Sequence, residues 1–106
     1  MDMFDSKAKN KITDFLRHIQ VLGQSSSDRL VNGFQESEKQ LIKKFTANTE
    51  DLIDQNEWGL GLENLLSNLY EIDFQLDKKA IDLAKGAIKE CKMDYNKWAF
   101  IEGLAE

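Results

Sequence analysis

The sequence has no proline, a single cysteine and a single histidine. Without proline, nothing forces a break in a helix, and turns fall to Gly, Asn, Asp and Ser. One cysteine excludes an intramolecular disulfide, so folding does not depend on an oxidising compartment. One histidine excludes a His-rich metal centre. It also excludes a di-iron carboxylate bundle, which needs Glu-x-x-His on two helices. No apolar run approaches the roughly 18 residues of a membrane span. The start, M-D-M-F-D-S-K-A-K-N-K, lacks the apolar core of a signal peptide, so a cytoplasmic location is the expectation. The net charge of −5 argues against direct nucleic-acid binding, which needs clustered Lys and Arg. The most local absence is of positive charge: between Glu50 and Asp77 there is no Lys or Arg.

What is present fits one soluble domain of 106 residues, 42% hydrophobic and 31% charged. The cation-free stretch holds eight acids: Glu50, Asp51, Asp54, Glu57, Glu63, Glu71, Asp73 and Asp77. It therefore carries −8, against +3 for the remainder. A chain of this composition that segregates its charge so sharply invites a basic partner.

Apolar spacing predicts helices throughout. In the first, about 5–22, Ala8, Ile12, Phe15, Leu16, Ile19 and Leu22 share a face, with Ser6 as cap and Gly23 as stop. A short helix is expected over 27–34. A longer one over 36–55 holds its phase through Leu41, Ile42, Phe45, Thr49, Leu52 and Ile53, despite the weak patch 47–49. The strongest pattern lies at 57–73, where Trp58, Leu62, Leu65, Leu66, Leu69 and Tyr70 make a wide apolar face broadened by Leu60. Asn56 is its expected N-cap, and Gly59 and Gly61 suggest close approach to a neighbour. Asp77 caps a helix over 78–92 with Ile81, Ala84, Ala87, Ile88 and Cys91 inward, and Met93 serves as a stop contact. Asp94 caps a last helix over 95–104. No segment alternates with period two. The expectation is a single all-α domain, a compact bundle of about five to six antiparallel helices.

Catalytic signatures are few. Cys91 lies on an apolar face and reads as a small buried hydrophobe. His18 reads as a helix-flank residue. Asp73-Phe-Gln-Leu-Asp77 lacks the central glycine of an EF-hand loop. Gly59-Leu-Gly61 lacks the third glycine, the strand and the lysine of a phosphate loop. No enzyme activity, cofactor or metal is expected. The acidic stretch has two readings of equal weight, a solvated face or a surface for a basic partner. Glu50, Asp51 and Asp54 near a helix C-terminus oppose the macrodipole, which hints at a use other than stability.

Glu57-Trp58-Gly59-Leu60-x-Leu62-Glu63-x-Leu65-x-x-x-Leu69-Tyr70-Glu71-x-Asp73 resembles the central motif of small immunity proteins of the MafI and contact-dependent growth inhibition (CdiI) type. The likeness covers roughly 50–80, and its distinctive parts are W-G-L-x-L-E and L-Y-E-x-D. It implies an all-α cytosolic antitoxin without catalytic activity, which binds and blocks a cognate bacterial toxin domain. Toxins of that class are often nucleases, including RNases, with basic grooves. The resemblance does not supply interface residues. Charge segregation supplies the candidates: Glu50, Asp51, Asp54, Glu57, Glu63, Glu71 and Asp73, with Trp58 and Tyr70 as aromatic anchors or core. Neither direct nucleic-acid binding nor membrane insertion is expected. Two readings compete with it: a helical adaptor or oligomerisation module whose acidic face only solvates the bundle, and a small enzyme using paired carboxylates.

Overall fold

The computed structural model describes residues 3–31 and 33–105. Five α-helices follow one another: α1 (Met3–Gln24), α2 (Glu38–Asp54), α3 (Trp58–Glu71), α4 (Lys78–Glu90) and α5 (Tyr95–Trp98). A 3₁₀ turn, Ala99–Leu104, follows α5. No strand occurs among the described residues. Two isolated bridges, Leu30 with Ser37 and Leu76 with Ala105, tie loops together. The all-α reading is correct, and no helix among the described residues is long and apolar enough to cross a membrane.

Three helices stop in the same way. After α2, Asn56 N–H donates to the Ile53 carbonyl at 3.0 Å and Glu57 N–H to the Leu52 carbonyl at 2.8 Å. The same pair of bonds closes α3 through Asp73 and Phe74, and α4 through Lys92 and Met93. This is the Schellman arrangement, which needs a left-handed residue just past the helix. Asn56, Asp73 and Lys92 fill that place with φ of 61°, 54° and 56°, without a glycine among them. Asn56 is thus the end of α2 and not the N-cap of α3. Glu57 holds that position and makes no side-chain cap bond. Phe74 and Met93 sit where an apolar residue closes the motif against the last turn, as expected for Met93.

Starts are more varied. Ser37 and Gln40 form a reciprocal capping box, with Gln40 N–H donating to Ser37 Oγ at 3.2 Å and Ser37 N–H to Gln40 Oε1 at 2.9 Å. That box places the start of α2 at Glu38. The predicted helix over 27–34 is not formed: its described residues make a loop, closed by Val31 N–H to the Glu36 carbonyl at 3.1 Å. Gly33, with φ 85°, and the serines before it favour turns over a short isolated helix. Met3 begins α1, so Ser6 lies inside the helix and not at its cap, and its side chain lies outside the described residues. The final predicted helix divides into α5 and the 3₁₀ turn.

The core lies where α1 meets α2, α3 and α4. Ile12, Phe15, Leu16 and Ile19 of α1 are buried with Leu62, Leu65, Leu66 and Leu69 of α3. The stretch expected to be central therefore shares the centre with α1. Helix α2 runs unbroken through 47–49, and Thr46 and Thr49 place their hydroxyls on their own helix, at the Ile42 and Phe45 carbonyls. Gly61 faces Leu52 and Thr49, where an added Cβ would sit 3.4 Å from Leu52 Cβ. The α2–α3 approach is therefore close, as its glycine suggested.

Asp77 fixes the start of α4 in two directions. Its Oδ1 accepts Ala80 N–H at 2.8 Å, and His18 of α1 lies at 2.9 Å. An ionised carboxylate only accepts, so His18 Nε2 carries the proton of that bond. Partial burial pushes the Asp77 carboxyl upward, but the Ala80 and His18 hydrogen bonds and the nearby charge of His18 and Lys79 outweigh it, and the net shift is downward from 3.8. A lowered carboxyl stabilises the fold above its unfolded value and loses that contribution as pH falls through its folded value. Asp77→Ala is expected to cost about 1 kcal/mol at neutral pH in urea unfolding. The gap from the unaltered chain should narrow below about pH 4 as Asp77 protonates. His18 is thus a helix-flank residue with a tertiary partner.

Candidate functional site, an acidic helix face

The nine candidate residues are held by the α2–α3 hairpin and the turn after α3. Glu50 is committed to the fold. Arg17 donates to its Oε1 at 2.9 Å and Gln20 Nε2 at 2.6 Å, which fastens α2 to α1. Trp58 packs against the core, and its indole N–H is enclosed without an acceptor among the described residues. Tyr70 points the other way and is 53% exposed.

The remaining carboxylates fall into two groups. Asp51, Asp54 and Glu57 are exposed around the end of α2 and the start of α3. Glu71 and Asp73 are exposed at the far end of α3, with Glu63 half-buried along the helix between them. At 1.5 Å per residue the two ends stand roughly 20 Å apart. They do not make a single ring. None of these six side chains forms an ion pair among the described residues. The pairs that do form draw on other acids, such as Glu36 with Lys44 at 2.6 Å and Glu90 with Lys7 at 3.4 Å. Asp54 is the least isolated, because it lines a cleft of about 190 Å³ with Lys9 and Arg17.

Helix ends sharpen the charge. Asp51 and Asp54 lie in the last turn of α2 and Glu71 in that of α3, and neither turn holds a basic residue. Negative charge there opposes the helix dipole and costs about 0.3–1 kcal/mol for an exposed group. Asp73 occupies a left-handed backbone position that glycine would fill with least strain.

The C-terminal segment was not among the sequence candidates, yet it borders this face. Phe100 brings its ring to 4.6 Å from that of Tyr70, and Trp98 lies 5.6 Å from Phe100. The signal in the sequence was the W-A-F spacing after Asp94, which reads equally as core. Beside it, Tyr95 donates to Glu102, which also takes Lys85 at 3.1 Å. Burial, then the bond and the charge of Glu102, push the Tyr95 hydroxyl up to about 12. Those three side chains hold the end of the chain against α4.

The larger cavity, about 420 Å³, opens between α1 and α2 and is lined by Lys39 and Lys43 with Gln20, Gln24 and Thr46. None of the candidates borders it. Among the described residues, no three His, Cys, Asp or Glu side chains are gathered as metal ligands. Cys91 is half-buried at the end of α4, and burial followed by the charge of Glu90 raises its thiol, the opposite of an activated nucleophile. Comparison with protein-family models, curated proteins and solved structures gave no match.

Proposed function

We propose that this chain is an immunity protein, a cytosolic antitoxin that binds a basic toxin domain through the acidic face of the α2–α3 hairpin. The observation that carries this is the set of six carboxylates between Asp51 and Asp73 that form no ion pair among the described residues, in a stretch that holds no Lys or Arg. A small rigid helical surface of this charge imitates a run of phosphates. It suits the groove of a nuclease, where Lys and Arg await a nucleic acid. Complementary charge also speeds encounter, which an antitoxin needs if it is to reach a toxin before damage occurs. The motif from Glu57 to Asp73 supports the same reading by its likeness to immunity proteins. Inhibition requires only occupation of the toxin, so no catalytic group is needed.

Co-expression with a candidate basic nuclease toxin domain tests the proposal. Cells should survive, and the two proteins should co-purify. Death of cells that contain abundant, folded chain would contradict it.

A further inference from the structure

We infer that Tyr70 and Phe100 form a seat for an arginine side chain of a basic protein partner, an inference that rests on the proposed function and locates its anchor. Tyr70 is a large, exposed ring on the outer flank of α3. Phe100 supports it from the 3₁₀ turn at 4.6 Å with the two planes tilted by 51°, and Trp98 backs Phe100. Both supporting rings are half-buried, so the aromatic platform is fixed from beneath while one ring stays open. A rigid, partly exposed aromatic group of this kind is the usual centre of a binding hot spot.

Charge selects the occupant. Residues seven apart on a helix share a flank, so Glu63 lies on the side of Tyr70, about 10 Å along the axis. Glu71 adjoins Tyr70 in the chain, and Asp73 follows at the turn. All three carboxylates lack ion pairs among the described residues, while Lys97 marks the far edge beside Trp98. An apolar anchor would gain nothing from this surround. A guanidinium gains from both parts, because its plane stacks on the ring and its N–H groups meet carboxylates. Lysine matches the charge but not the plane.

A titration with nona-arginine peptide, followed by NMR of the aromatic side chains, tests the seat without requiring the toxin. The Tyr70 ring and Trp98 indole signals should shift. Tyr70→Ala should weaken binding by about two- to fivefold, and Tyr70→Phe should retain it, as an exposed cation–π contact requires. Tyr70→Phe keeps the contact with Phe100 and should unfold as the unaltered chain does, whereas Tyr70→Ala gives up that contact and should unfold at a modestly lower urea concentration while remaining folded at the start of the titration. Shifts confined to residues 51–57, or equal binding by Tyr70→Ala, would overturn the seat. Failure of protection in cells with nona-arginine still seated at Tyr70 would remove the immunity reading and leave the seat. Protection in cells with no response at Tyr70 would remove the seat alone.

Discussion

Leu65→Ala should destabilise the fold by about 2–5 kcal/mol, the range for a large-to-small change at a site that cannot collapse. Leu65 is fully buried on α3, within the core cluster to which α1, α2 and α4 also contribute. Against a total of about 5–15 kcal/mol for a domain, such a loss is a large share. It should lower the melting temperature by about 10–20 °C. A loss under about 1 kcal/mol in urea unfolding would mean that α3 is not packed as described.

The glycines give a companion comparison of sign. A Cβ at Gly23 would stand 2.5 Å from Ile42 Cγ2, on a β-branched and buried side chain that cannot turn aside. Gly23→Ala should cost about 1–3 kcal/mol through overpacking, even though alanine favours helix. A Cβ at Gly59 meets nothing within 4 Å. Gly59→Ala should therefore stabilise by up to about 1 kcal/mol.

The second large effect is a separation of binding from stability. The triple variant Asp51→Lys, Glu71→Lys and Asp73→Gly should unfold at a higher urea concentration than the unaltered chain. Two of the changes place a cation in a helix's last turn, where the dipole favours it, for about 0.3–1 kcal/mol each. The third puts glycine at a left-handed position now held by aspartate with φ 54°. The same variant should bind a basic toxin more than about tenfold more weakly, chiefly through slower association, because it sets like charge against like. Loss of binding together with gain in stability cannot come from misfolding. It would show that these carboxylates are kept at a cost because they are used.

Much of the fold was legible because burial follows helical periodicity. Most of the apolar positions read on α1, α3 and α4 are buried, while Leu22, Trp58 and Cys91 are half-buried and Leu60 and Tyr70 are exposed. Leu60 and Tyr70 are exposed because α3 needs only one stripe to meet α1 and α2, and the wide face outran the partners available. Three apolar residues at helical spacing predict a short helix over 27–34, but the turn chemistry of the serines and Gly33 prevails and the described residues there form a loop. The capping box was readable as S-x-x-Q at Ser37 and Gln40. The helix ends were not, since they use Asn56, Asp73 and Lys92 where glycine is the usual sign.

The site was legible only in part. Charge segregation identified the hairpin, but spacing alone could not show that Arg17 and Gln20 take Glu50 or that Trp58 turns inward. The Glu50 bonds depend on α1, which lies 30 or more residues away in the chain. The aromatic support beneath Tyr70 comes from Phe100, also 30 residues distant, and no local pattern announces it.

The most direct test of an acidic interface is the rate at which the chain associates with the basic toxin domain proposed as its partner, measured from about 10 mM to 1 M salt. Association should slow by more than about tenfold across that range, and the triple variant should be slow and nearly insensitive to salt throughout. A rate that is unchanged by salt and shared by the triple variant would contradict the acidic face as the binding surface.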